Sequence, residues 1–289
     1  MSIFPKKNPL IKLRSGKSIG YKIYGNKSNF PIFYFHGWPG SRFELENIPL
    51  NKKNCFLIAL ERPGYGISDP ISKFEILDWP KIVLEVANKL KIKKFSIIGV
   101  SGGAPFALSC AYLINDDKLK SVAIICGLGP HNVNGMSKGR VGLLLYYGKK
   151  PILSWFLLNF IRARLLKNNL ENNFLRWKKK IPLPKSDLKL FTINRGIKLI
   201  KNFKEALRYS TTGVHRDAQL YAKDWGFNIK NIKKKIFIWH GASDLTVPIS
   251  IANYYKAKLK NKKIYIKSNE GHFSICYNFM NKIIKKISE

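Results

Sequence analysis

The chain has 289 residues, 45% of them hydrophobic, which suits one large α/β domain, or a core domain carrying an insertion, and excludes a chain too polar to bury a core. Its formal net charge of +35 would suit phosphate backbones, anionic membranes or acidic substrates. The lysines are scattered through nearly every segment with no arginine-rich tract or nucleic-acid motif, so the charge reads as a solvated lysine-rich surface and no nucleic-acid partner is expected.

The N-terminal stretch MSIFPKKNPLIKLRSGK lacks the continuous apolar run of a secretory signal, so the protein is expected to be cytoplasmic. Cys55, Cys110, Cys126 and Cys276 lie far apart without metal-ligand spacing, which predicts free, largely buried thiols in a reducing compartment. Residues 10–26, LIKLRSGKSIGYKIYGN, read as a hairpin turning at Ser15-Gly16-Lys17. FPIFYFHG (30–37) and CFLIALERPG (55–64) are continuous apolar runs stopped by Gly or Pro, as strands buried on both faces require. DWPKIVLEVANKL reads as a helix with Asp78 as N-cap and Pro80 in the first turn. A strand in KFSIIGV, a helix in GGAPFALSCAYLI and a strand in LKSVAIICGLG follow, an alternation that implies right-handed crossovers and a mostly parallel sheet with helices on both faces.

The alternation stops near residue 130 and resumes near 232. The stretch between has helical spacing, as in WFLLNFIRARLL and LFTINRGIKLIKNFKEALRY, and reads as an insertion. Its most apolar part, residues 141–161, is cut by Lys149, Lys150 and Pro151 into pieces too short to span a membrane. The expected division is a core of residues 1–130 and 231–289 around a helical insertion of residues 131–230. Strands return in KKIFIWHGASD (234–244) and KKIYIKSNEGH (262–272), and an amphipathic helix closes the chain.

Residues 99–103, Gly-Val-Ser-Gly-Gly, place Ser101 between small residues at a strand-to-helix turn. That context would expose its hydroxyl above the strand end as a nucleophile, and would aim the N–H of Gly102 at a developing oxyanion. A serine in an ordinary tight turn would show the same five residues. YFHGWPGS (34–41) offers a second oxyanion donor, the backbone N–H of Trp38, although alone it is also a plain Gly-Pro turn. Among five histidines, His272 sits on a glycine-marked loop just after the last strand, at the sheet edge where an open α/β sheet builds its site. Asp244 lies beyond the preceding strand on the same edge, in a short loop before Pro248. Asp217, Asp224 and Glu270 are its rivals as the acid that would orient the histidine.

The order nucleophile, acid, histidine resembles the α/β-hydrolase superfamily, in its branch with a helical lid inserted after the sixth strand. HGWPGS, ERPGYGISD (61–69), GVSGG, HGASDLTVP (240–248) and Gly271-His272 carry the resemblance across nearly the whole core. It implies an eight-stranded, mostly parallel sheet, a triad of Ser101, Asp244 and His272, and an oxyanion hole at Trp38 and Gly102. It also implies a small-molecule acyl substrate, with no cofactor or metal. A serine at the elbow argues against epoxide hydrolases and haloalkane dehalogenases, which use aspartate there. His-Gly-Trp-Pro-Gly departs from the His-Gly-Gly-Pro-Gly usual in proline iminopeptidases. A carboxylic ester is the expected substrate; lactone, thioester, carbon-carbon and perhydrolase chemistries are also compatible. A ligand receptor on the same fold, and a peripheral membrane protein using a basic, aromatic lid, are the readings from other classes. Tyr146, Tyr147, Trp155, Phe156 and Phe160 are expected either to line an acyl pocket or to pack the insertion against the core.

Overall fold

The computed structural model describes residues 10–289, so the start of the stretch read for a secretory signal, residues 1–9, lies outside the described residues. Strands β1 (Leu10–Lys12) and β2 (Ser18–Gly25) form the expected hairpin. Next come β3 (Pro31–Phe35), β4 (Phe56–Leu60), helix α1 (Trp79–Lys89), β5 (Phe95–Val100), α2 (Ala104–Leu113) and β6 (Leu119–Ile125). Six helices follow: α3 (Gly139–Gly148), α4 (Pro151–Lys167), α5 (Leu170–Lys180), α6 (Lys185–Leu190), α7 (Ile193–Ala206) and α8 (Thr212–Tyr221). The chain ends with β7 (Ile236–Gly241), α9 (Ile249–Lys258), β8 (Lys262–Lys267) and α10 (Ser274–Ser288).

The strands form one eight-stranded sheet in the order β1-β2-β4-β3-β5-β6-β7-β8. Pairing is antiparallel from β1 through β2 to β4 and parallel from there to β8. β4, β5 and β7 are buried at every position, which is why their sequences run apolar without alternation. Ile97 belongs to the core on one face, with Phe35, Trp79, Phe106 and Leu108; Ile98 belongs to the core on the other, with Trp239, Met280 and Ile284. At the β8 edge the sequence KKIYIK leaves lysines in the unpaired row, a device that discourages further strand addition.

Two local expectations are revised. Asp78 occupies the N-cap position of α1, yet its side chain makes no cap bond there; its carboxylate accepts the backbone N–H of Glu75 at 2.9 Å and closes the preceding 3-10 turn. Of the five insertion aromatics, Phe160 and Tyr147 reach cavities, but Tyr146, Trp155 and Phe156 are 50–62% exposed and do neither thing expected of them. α3 and α4 break at Lys149-Lys150 as read, and among the described residues no helix is long and apolar enough to cross a membrane. All four cysteines are free and buried.

The candidate active site

Ser101 stands at the β5–α2 junction with φ of +50°, a left-handed conformation unusual for a side chain-bearing residue and characteristic of a strained elbow. Small neighbours make the turn possible. A Cβ on Gly99 would come within 2.6 Å of Ala107 Cβ and 2.8 Å of the Gly103 carbonyl oxygen, so α2 could not pack behind the strand with any larger residue. A Cβ on Gly102 would lie 3.2 Å from the backbone nitrogen of Trp38, so the two residues expected to supply oxyanion donors pack closely against each other. The N–H of Gly102, in the first turn of the helical segment, has no intrahelical acceptor.

The orientation of the Trp38 N–H follows from a buried arginine. Arg62 donates to the carbonyl oxygens of His36 (2.7 Å) and Gly37 (3.0 Å) and is held by Asp217 at 2.7 Å. In a trans peptide the N–H points opposite to the C=O, so fixing the Gly37 carbonyl on Arg62 turns the Trp38 N–H away from that arginine. The preceding N–H, of Gly37, is taken by both oxygens of Glu44 at 3.1 Å. Glu44 also accepts the Tyr34 hydroxyl at 2.6 Å; burial pushes its carboxyl up, against these hydrogen bonds. Asn202 on α7 accepts from Ser41 N–H and hydroxyl at 2.9 and 2.7 Å, pinning the far side of the loop.

His272 and Asp244 meet at the carboxyl end of the sheet, where the Nδ1–H of His272 donates to Asp244 Oδ2 at 2.7 Å. The other carboxylate oxygen accepts the N–H groups of Thr246 (2.7 Å) and Val247 (2.9 Å), so the short loop before Pro248 cages the acid. Burial by itself pushes Asp244 up, but His272, His240 and the Val247 N–H outweigh it and hold the carboxyl below its ordinary value. With Nδ1 committed to Asp244, Nε2 of His272 is left to take a proton. Ser101 and His272 line one cavity of about 580 Å³. Among the described residues the serine hydroxyl makes no hydrogen bond.

The rivals stand elsewhere. Asp217 is buried against Arg62, with Tyr65 and Tyr221 donating to it at 2.7 and 3.1 Å, and among the described residues it hydrogen-bonds to no histidine. Asp224 accepts from Gly226 N–H and Glu270 from Asn278, both at the surface. His36 is buried and neutral, its pKa pulled well below the ordinary value first by burial and then by Arg62. Its Nδ1 lies 2.9 Å from the Gly37 carbonyl, giving that oxygen a second donor.

Three contributors escaped the sequence reading. Asp187 on α6 accepts the backbone N–H groups of His272 (3.0 Å), Phe273 (3.2 Å) and Ser274 (2.8 Å), tying the histidine loop to the helical segment. Glu44 holds the Gly37 N–H beside Trp38, and nothing in its sequence neighbourhood distinguishes it from a surface glutamate. Cys126, at the end of β6 with φ of +45°, lies with Asp244 and His272 in a cluster whose donor atoms are within 4.8 Å of one another. Burial pushes its thiol well up and Asp244 adds to that, so it faces the acid as a neutral S–H.

A family profile for the alpha/beta hydrolase fold matches residues 31–279. This protein therefore belongs to the α/β-hydrolase family. It is 24% identical over 260 residues to an uncharacterized hydrolase, YugF, of Bacillus subtilis, covering 89% of this chain and 88% of that one. It is 23% identical to a Mycoplasma pneumoniae protein provisionally named a proline iminopeptidase, covering 94% of each chain. An esterase structure from Exiguobacterium antarcticum superposes with a TM-score of 0.65 at 17% identity, covering 97% of this chain and 96% of that one.

Proposed function

We propose that this α/β-hydrolase cleaves a carboxylic ester through a covalent acyl-enzyme. The 2.7 Å bond from His272 to Asp244, in a cavity shared with a strained Ser101, carries the reading. Ser101 Oγ attacks the acyl carbon as His272 Nε2 takes its proton, and the tetrahedral oxyanion accepts from the N–H groups of Trp38 and Gly102. Collapse expels the alcohol, which receives the proton from His272. Water then repeats the sequence and frees the acid and Ser101. Asp244 holds the imidazole in the tautomer that leaves Nε2 basic and stabilises the cation formed. The helices of residues 131–230 act as a lid in this reading, and four free thiols suit a reducing compartment.

An amine substrate, as the iminopeptidase-like relative suggests, fits less well. Among the described residues the only carboxylate lining the cavity, Glu44, is occupied by Gly37 N–H and Tyr34. A fluorophosphonate should label the native protein at Ser101 and leave Ser41, Ser68 and Ser243 unmodified; mass spectrometry showing no adduct, or an adduct elsewhere, rejects the mechanism.

A second reading concerns where the enzyme works. Ile152, Trp155, Phe156 and Phe160 on α4 are 50–75% exposed and stand beside Lys149, Lys150, Arg164 and Lys167. An apolar aromatic face rimmed by cations complements an anionic bilayer surface, and we read it as a peripheral contact with such lipid.

A further inference from the structure

The chain is sparing with arginine: ten occur among 52 basic residues. Four of the ten, Arg140, Arg164, Arg176 and Arg195, line the cavity that holds Ser101 and His272, whereas among the described residues Lys180 is the only lysine there. Elsewhere arginines serve the fold: Arg42, Arg62, Arg208 and Arg216 pair with carboxylates, and Arg162 binds the carbonyls of Leu207 and Arg208. Among the described residues none of the four cavity arginines pairs with a carboxylate. Arg140 donates to Thr246 Oγ1 at 3.2 Å; Arg195 donates to the Leu190 carbonyl at 3.2 Å and lies over the Tyr277 ring; Arg164 lies over Phe160.

Guanidinium differs from ammonium in its flat, forked donor set, which matches a carboxylate or phosphate with two parallel bonds. Arg140 and Arg195 are half-buried where the cavity is walled by Leu158, Leu165, Leu199 and Ile200 and lose hydration that bonds to an anion would offset, while Arg164 and Arg176 are exposed at its margin. Arg140 lines both this cavity and a second, of about 230 Å³, and Ser101 lines both as well. Burial pulls its guanidinium down, with Asp244 pulling the other way, and that carboxylate is already engaged by His272.

We propose that the cavity selects acyl compounds carrying a carboxylate or phosphate group, which Arg140 binds beside the reacting carbonyl while Arg164, Arg176 and Arg195 line its approach. This rests on the ester-hydrolase reading for the reaction, though not for the binding.

The test uses hexanoate esters of 4-hydroxybenzoate, 4-hydroxybenzamide and (4-hydroxyphenyl)trimethylammonium, with each kcat/KM divided by the ester's own rate constant with hydroxide. The anionic ester should exceed the neutral one by roughly 10- to 100-fold, the worth of a charged hydrogen bond, and the cationic one should be slowest. Arg140→Gln should reduce that preference mainly through KM, Arg140→Lys should restore part of it, and Arg176→Gln, at an exposed position, tests the approach without burdening folding. Lys263→Gln on β8 removes the same charge from the exposed surface and should leave the preference unchanged. Equal reactivity of the anionic and neutral esters, or an equal loss in Lys263→Gln, overturns the proposal. Calorimetry of Ser101→Ala with decyl phosphate, decanoate and decanol reads binding alone and separates phosphate from carboxylate. Tighter binding of either anion than of the alcohol upholds the anion site even if no ester is hydrolysed, and equal binding of all three rejects it even if esters are.

Discussion

The Nδ1–H of His272 and the carboxylate of Asp244, 28 residues apart in the chain, are joined by a 2.7 Å hydrogen bond, while the neighbouring His240 stands 3.9 Å from the same oxygen and binds the Val247 carbonyl instead. An asparagine at position 244 can donate toward Nδ1 and favour the tautomer in which Nε2 carries the proton. Asp244→Asn should therefore lower kcat by about 10⁴ with the fold intact, as in serine hydrolases whose acid is so replaced. The measurement is kcat on one active ester with circular dichroism; a value within tenfold of wild type rejects Asp244 as the orienting acid.

Asp217→Asn should behave differently. Removing the charge leaves Arg62 buried without its partner, a change that costs about 3–5 kcal/mol, so the midpoint of urea unfolding should fall substantially. Loss of activity in a variant of wild-type stability would instead place Asp217 in the chemistry.

Asp187 acts on His272 through the backbone. Asp187→Asn retains one acceptor oxygen and loses the charge that serves three N–H groups, so kcat should fall by roughly tenfold, with KM little changed if the histidine is displaced by a fraction of an ångström. A change confined to thermal stability would show that the contact only anchors α10.

Glu61 supplies a pH dependence. Burial pushes its carboxyl from 4.5 to about 7, with Arg42 opposing. The folded protein holds this proton more tightly than the unfolded chain, so the associated stability is complete below about pH 4.5 and is lost as pH rises toward 7. Across that window the urea midpoint of wild type should decline relative to Glu61→Gln, which has no proton to lose; parallel curves would contradict the assignment.

The exposed face of α4 predicts co-sedimentation with phosphatidylserine vesicles at low salt, weaker in high salt and absent with purely zwitterionic vesicles. Trp155→Ser with Phe156→Ser should abolish it. Concentration-dependent dimerisation without lipid, removed by the same double change, would assign the face to a second copy of the chain.

The sheet, the elbow and the break between α3 and α4 were legible in the sequence because each depends on neighbours in the chain: continuous apolar runs for strands buried on both faces, glycines around Ser101, and Lys149-Lys150-Pro151 between two helices. Position just beyond the strand ends pointed to Asp244 and His272, and the structure joins the two by a hydrogen bond. The supports of the site were not legible. Arg62 meets Asp217 across 155 residues and Asp187 meets His272 across 85, and no local pattern marks a carboxylate that packing will bury against a distant N–H or guanidinium. Tertiary structure alone decided that Trp155 and Phe156 face outward, because α4 is apolar nearly all round and such a pattern cannot say which side the core will cover.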